Sequence, residues 1–147
     1  MVPPPPLSSM AFGLIMKFAF PTIRRGRRKA MVKFIGCLKR KAGMTSEEFH
    51  RYWKEQHWPL AKSVPEFFRY VRKYVQSHTL ADPAAGFSGF EAPFDGFAEL
   101  WFDSLEDVGK AFAEPRYLEI IRPDELRFLD LPNCKVAVVE EVWMHAE

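Results

Sequence analysis

Four histidines, His50, His57, His78 and His145, are the side chains of this sequence best suited to moving protons near neutral pH. Imidazole titrates in that range and takes or returns a proton without a metal or cofactor. His78 ends an alternating set, Tyr70, Arg72, Tyr74, Gln76 and His78. Aromatic and polar side chains on one strand face are unusual for a plain core and suit the lining of a cavity. His57 lies just past an amphipathic helical segment. Taken singly, each histidine fits a hydrogen-bonded structural residue equally well. His50 and His57 are seven residues apart and share a helical side. No carboxylate at close helical spacing completes a triad with them, so no metal site is expected. The chain has no Gly-rich phosphate loop, Ser-nucleophile elbow, HExxH or dinucleotide fingerprint. Chemistry, if any, is therefore expected to need no cofactor.

The elements that must position these residues follow in quick order. Val32 to Leu38 reads as a first strand. Thr45-Ser46-Glu47-Glu48 is a capping box that starts a helix running to about Gln56, with Phe49, Tyr52, Trp53 and Gln56 on one side. Pro59 opens a short further turn through Ser63. Arg69 to Leu80 reads as a second strand and Asp95 to Phe102 as a third. Residues 81–94 form a long loop whose Phe87 and Phe90 suit the underside of a lid. Ser104 caps a helix to about Ala113. Glu114 to Asp130 is expected to be helical in pieces, broken at Pro115 and Pro123. Cys134 to Trp143 is a last strand whose Val-Ala-Val-Val run suits burial on both faces. The order β-α-β-β-α-β is the ferredoxin-like, α+β pattern with an antiparallel sheet. Such a sheet carries helices on one face and leaves the other open. Asp124, Glu125 and Asp130 read as a helix N-terminus and solvated face, with supply of a carboxylate to the pocket as the alternative. Trp53, Phe67, Phe68, Phe112 and Phe128 read as core, and Trp101 as core or pocket lining.

A chain of 147 residues is about one domain long, and at 48% hydrophobic and 15% aromatic it can build a real core. The net charge of +2 hides an asymmetry. Lys17, Arg24, Arg25, Arg27, Arg28 and Lys29 lie in residues 1–30 with no acid. The other 15 basic residues face 19 acidic ones. The domain proper is thus mildly acidic and offers no footprint for nucleic acid. Residues 1–30, with the run Pro3-Pro4-Pro5-Pro6 and the basic cluster, read as a disordered leader. The alternative is a mitochondrial presequence; otherwise a cytoplasmic protein is expected. The domain is expected to span 31–147. No apolar stretch reaches the roughly 18–20 residues that span a bilayer. Cys37 and Cys134 sit in apolar runs and are expected to be buried, reduced thiols.

Several motifs together resemble one family. Gly43-Met44-Thr45-Ser46-Glu47-Glu48-Phe49-His50-Arg51-Tyr52-Trp53 followed by His57-Trp58-Pro59-Leu60 is similar to the EthD signature of a Tyr-Trp pair and then His-Gly-Pro-Leu. Tyr74-Val75-Gln76-Ser77-His78 resembles its Tyr-x-Gln-x-His strand. Asp95 to Ser104 resembles its third strand, and Asp124-Glu125 with Phe128-Leu129-Asp130 its late acidic helix. Trp58 departs from the usual Gly, and its bulk is expected to reshape the pocket beside His57. The resemblance implies a dimeric α/β barrel in which two sheets face each other and each homodimer subunit keeps a pocket between sheet and helices. It implies that His57 and His78 approach one cavity, with His78 transferring the proton and His57 stabilising an oxyanion or acting as acid. Tyr52 and Gln76 would orient substrate, and Tyr74, Trp58 and Trp101 would contact it. The implied activity is that of a cofactor-independent lyase, a decarboxylase or dehydratase/cyclase, on an aromatic polyketide through an enol or enolate. A cofactor-free oxidation of a similar substrate is the runner-up. A non-catalytic protein that binds a hydrophobic ligand is the alternative from outside enzymology.

Overall fold

The computed structural model describes residues 30–80 and 92–145. The expectations for the leader before Ala30 and for Phe87 and Phe90 concern residues outside these. Four strands, β1 (Val32–Leu38), β2 (Val71–His78), β3 (Gly96–Phe102) and β4 (Lys135–Glu140), form one sheet in the order β2-β3-β1-β4. Every neighbouring pair is antiparallel. This is the expected ferredoxin-like arrangement, with β1 and β3 central.

Strand periodicity sorts the sheet into two faces. Phe34, Leu38, Leu100 and Phe102 are buried on the helical side. Lys33, Ile35, Val75, Phe97, Glu99, Trp101 and Val139 alternate with that set and take the other side. β4 is an edge strand, and in the single chain it alternates between exposed and half-buried residues. The expectation of a strand buried on both faces is therefore corrected. Its apolar run reflects one packed face, and pairing on one side only.

The helical layer begins with α1, residues 46–62. Thr45 caps it: its Oγ1 accepts from Glu48 N at 3.1 Å while Glu48 Oε2 accepts from Thr45 N at 2.7 Å. Gly43 at φ +86 makes the turn into that cap, a backbone conformation that favours glycine. α1 does not stop at Gln56. An α segment, Ser46–Tyr52, passes through a π turn, Trp53–His57, into a second α segment, Trp58–Lys62. A short helix α2 (Pro65–Phe68) then leads into β2. α3 (Leu105–Ala113) starts at Ser104, whose hydroxyl accepts from Asp107 N. α4 spans residues 117–128 and repeats the device: a π turn, Tyr117–Ile121, feeds an α segment, Arg122–Phe128.

Both π turns stand two residues ahead of a proline, Pro59 and Pro123. The closing bonds, Trp58 N to Trp53 O and Arg122 N to Tyr117 O, are of the i→i−5 kind. A proline inside a regular helix loses a hydrogen bond and presses its ring on the preceding turn. A widened turn relieves that pressure, so Pro123 does not break its helix as the sequence suggests, and Pro59 opens its further turn in continuity with the helix before it. The π turn also shifts the inward face by one residue. Gln56 is exposed and His57 is buried.

Two apolar clusters fill the space between helices and sheet. One gathers Phe34, Val64, Phe67, Phe102, Tyr117 and Ile121, with Leu100 and Ala111. The other gathers Leu38, Phe49, Trp53, Phe128, Leu129 and Cys134. Cys37 is half-buried, Cys134 is buried, and both are free thiols. Among the described residues no helix is long and apolar enough to cross a membrane.

Candidate active site

The seam between the two clusters is not completely filled. A cavity of about 80 Å³ lies there, walled by Trp53, Tyr74, Phe128, Tyr117, His57 and Glu125 among others. Its walls are mostly apolar, so the few polar groups that reach it are conspicuous.

His57 comes from the end of the first π turn and is 7% exposed. Its Nδ1 donates to Asp124 Oδ2 at 2.8 Å. Asp124 is itself 8% exposed, and its Oδ1 accepts the Tyr52 hydroxyl at 2.7 Å. With a carboxylate as acceptor, the hydrogen of neutral His57 resides on Nδ1. Nε2 then carries the lone pair, and no described residue hydrogen-bonds it. Burial lowers the His57 pKa, and the Asp124 carboxylate opposes that only in part. The ring is therefore neutral at pH 7 and able to accept a proton.

Tyr74 enters from β2. Its hydroxyl oxygen accepts from Trp53 Nε1 at 3.1 Å and from Gln76 Nε2 at 3.1 Å. A phenol has two acceptor positions and one donor hydrogen. Both acceptor positions are filled, and its own hydrogen has no acceptor among the described residues. Burial pushes its pKa up to about 12, so it stays a neutral donor.

Glu125 follows Asp124 in α4. The Tyr117 hydroxyl lies 3.1 Å from both of its oxygens, and Arg122 Nη1 lies 3.2 Å from Oε2. Burial drives its pKa up to about 7 against the pull of Arg122 and the Tyr117 hydroxyl.

The residues singled out from the sequence divide into three groups. His57 and Tyr74 reach the cavity. Gln76 stands one contact behind it, holding both Tyr74 and the Trp53 carbonyl oxygen, 3.2 Å away, and Tyr52 stands two contacts behind, holding the Asp124 that holds His57. Trp58 is half-buried, with its ring 5.6 Å from Phe68 and 5.3 Å from Tyr74. It braces Tyr74 rather than walling the cavity beside His57. His78 does not reach the cavity. Its Nδ1 meets His50 Nδ1 at 2.7 Å, and its Nε2 meets Gln76 Oε1 at 3.0 Å. The expectation that His57 and His78 approach one cavity is not met by this one, whose lining includes His57 and Trp53 but not His78; the His78 ring lies 4.6 Å from the Trp53 ring. Trp101 lies on the opposite face of the sheet beneath the ammoniums of Lys33 and Lys73, each 4.5 Å from its ring. It does not line the site.

Of the carboxylates expected on a solvated face, Asp124 is buried and Glu125 is half-buried and lines the cavity. Asp124 and Glu125 sit just after Pro123, where charge suits a helix start. The partners of Asp124, His57 and Tyr52, lie 67 and 72 residues away, and Tyr117 reaches Glu125 across a π turn; Arg122, three residues before Glu125, is at a local helical spacing. No group of three or more His, Cys, Asp or Glu side chains among the described residues is arranged to hold a metal ion.

With this geometry in view, the likeness to known proteins is specific. Residues 41–132 match the EthD domain family. A protein named decarboxylase nsrE, from Aspergillus novofumigatus, is 28% identical over 109 residues, covering 69% of this chain and 72% of its own. A conidial pigment biosynthesis dehydratase EthD, from Metarhizium robertsii, is 30% identical over 109 residues, covering 67% of this chain and 74% of its own. Among solved structures, an EthD-like protein of Ralstonia eutropha matches with a TM-score of 0.60 at 20% identity, over 80% of this chain and 97% of its own. A dimeric protein of unknown function with a ferredoxin-like fold, from Bacteroides fragilis, matches with a TM-score of 0.53 at 16% identity, over 76% and 96%. The chain belongs to the EthD domain family.

Proposed function

We propose that this protein is a cofactor-independent lyase that decarboxylates or dehydrates an aromatic polyketide through an enolate. One observation carries the reading: an imidazole lining an apolar cavity is tied through Nδ1 to a buried carboxylate, and its Nε2 has no hydrogen-bond partner among the described residues. That is the arrangement of a general base held in one tautomer. Tyr74 supplies the complement, a neutral O–H fixed by two donors and free to meet a developing enolate oxygen. The names of the two relatives, a decarboxylase and a pigment-biosynthesis dehydratase, support a reaction of this class.

The roles follow from position. His57 moves the proton, Asp124 and Tyr52 hold it, and Tyr74 stabilises charge. His78 supports Tyr74 through Gln76 and acts on the reaction through them. The cavity's volume of about 80 Å³ is well below the ~150 Å³ of an apolar cavity that holds benzene. A polyketide therefore inserts its reacting end, or side chains move apart to admit a ring.

The protein acts as a homodimer in this proposal. The sheet face away from the helices carries half-buried Ile35, Cys37, Val75, Phe97 and Val139 around the Lys33–Glu99 ion pair. A second copy would cover them, and the dimeric neighbour supports that assembly.

The test is to incubate the full chain with aromatic β-keto acids and β-hydroxy ketones and follow loss of carbon dioxide or water by mass. His57→Ala is expected to cost about 100-fold or more in turnover. Undiminished turnover in that variant would overturn the assignment.

A further inference from the structure

The base has a carboxyl for company that decarboxylation does not use. Glu125 lines the same cavity as His57 and Tyr74. Its neighbour Asp124 is committed, with one oxygen on His57 and the other on Tyr52. Glu125 is held differently, by one hydroxyl shared between its oxygens and one guanidinium at Oε2. Resting on the proposed lyase reading, we infer that Glu125 is the acid of this cavity, delivering its proton to a departing β-hydroxyl, so that the substrate is a β-hydroxy carbonyl compound and the reaction a dehydration.

The step balances without a co-reactant. His57 Nε2 takes a proton from the carbon next to the carbonyl. The C–H electron pair becomes the enolate, with its charge on the oxygen that faces the Tyr74 O–H. As the enolate collapses, that pair forms the new carbon–carbon double bond and the bond from the β-carbon to its hydroxyl oxygen breaks. The oxygen leaves with the bonding pair, takes the Glu125 proton and departs as water. His57 is then protonated and Glu125 ionised. One proton passed from the first to the second through solvent restores the enzyme.

The protonation states suit this division. Burial keeps His57 neutral and able to accept, while burial raises Glu125 to about 7, so that much of it holds its proton near neutral pH. The titratable and charged groups around Glu125 are Arg122, Asp124 and Tyr117 of its own helix, Tyr74 of β2 and Cys134 just before β4, while His57 of α1 and Lys135 of β4 line the same cavity. Arg122 is the cation in contact with it, and its pull leaves the carboxyl elevated. An ionised Glu125 would repel an enolate beside it; a protonated one does not.

The experiment pairs a β-hydroxy aryl ketone with the matching β-aryloxy ketone, whose phenolate leaves without needing a proton. Glu125→Gln is expected to slow elimination of water by about 100-fold or more and to leave loss of phenolate within a few-fold. His57→Ala slows both. Undiminished loss of water in Glu125→Gln overturns the proposal. If Glu125→Gln is inert toward both ketones, Tyr117→Phe decides. It removes a hydrogen bond that favours the ionised carboxylate, so the basic limb of the wild-type kcat/KM profile must move to higher pH; a limb that stays in place overturns the proposal. Wild-type protein that releases carbon dioxide from a β-keto acid but eliminates water from no β-hydroxy ketone leaves the lyase reading intact and removes this one. Inertness toward all three substrates removes the lyase reading itself.

Discussion

Two histidine sites stand on either side of Trp53, and they are built in opposite ways. His57 is an imidazole on a carboxylate, with a defined tautomer, a ring that lines the cavity and one nitrogen without a partner among the described residues. His50 and His78 are an imidazole on an imidazole, Nδ1 to Nδ1 at 2.7 Å. One of those two nitrogens must carry the hydrogen and the other the lone pair, so the contact holds only while the two Nδ1 atoms share one proton. His50 Nε2 is also buried without a hydrogen-bond partner among the described residues. The first arrangement prepares a base. The second fills a position and braces Gln76, and through it Tyr74. Similar residue types thus differ in use because of what each is tied to.

The comparison breaks most sharply on turnover. His57→Ala removes the base and is expected to cost about 100-fold or more, while His50→Ala stays within about a few-fold of wild type in the same assay. Equal losses in the two variants would dissolve the distinction between a catalytic and a bracing site.

Trp53 is the partition, and its placement depends on a glycine. A Cβ on Gly96 would stand 2.7 Å from the Trp53 ring and 3.0 Å from the Ser77 carbonyl oxygen. Gly96 is also the register partner of His78. Gly96→Ala must therefore push the indole toward the cavity or the strands apart, with overpacking of about 1–3 kcal/mol in chemical denaturation. Stability within about 0.5 kcal/mol of wild type would mean that Trp53 is not held as tightly as this contact requires.

Much of this fold was legible in the sequence because it is written in local pattern. The strand alternation, the Thr45 and Ser104 caps and the βαββαβ order all depend on residues a few positions apart. The site was legible only in part. His57 stood out as a residue type, but its inward aim comes from a π turn, and i→i−5 bonding leaves no distinctive apolar spacing. Pro123 looked like a helix break and Gln56 like a helix end because the widened turns are invisible in composition. Asp124 looked solvated because His57 and Tyr52 are distant in sequence, and Glu125 because Tyr117 reaches it across a widened turn. His78 looked like the central residue from its strand face, yet a strand face does not reveal that an indole from another element stands before it.

His78 tests the bracing idea at a smaller scale. His78→Ala withdraws the ring that meets Gln76 Oε1, so Gln76 is free to rotate and one donor to Tyr74 weakens. A loss of about 10-fold in kcat, near 1.4 kcal/mol, is expected. KM should change less, because His78 touches no part of the cavity. Tyr74→Phe should lose at least as much, and adding His78→Ala to it should cost little more, since the brace then holds nothing. Additive losses would give His78 a direct part in the chemistry.

The smallest effect is the pH dependence of the pair itself. Burial lowers both pKa values, and His78 is lowered further by His50 and Lys54. The Asp95 carboxylate opposes the shift at His50, while Arg40 reinforces it. Folded-state values below the ordinary 6.5 mean that the unfolded chain binds more protons as pH falls through that value, so stability declines on the acid side. Protonating both rings also turns both Nδ1 atoms into donors, which breaks the contact between them. His57 shifts in the same direction, so a melting curve of the wild type alone cannot separate the two sites. Comparing wild type with His50→Phe does, because that variant removes one titrating ring of the pair and leaves the His57–Asp124 contact in place. Ring-proton NMR should show His78 titrating closer to 6.5 in His50→Phe, with His57 unmoved. A shift of His57 by as much as His78 would show that Trp53 does not insulate one site from the other.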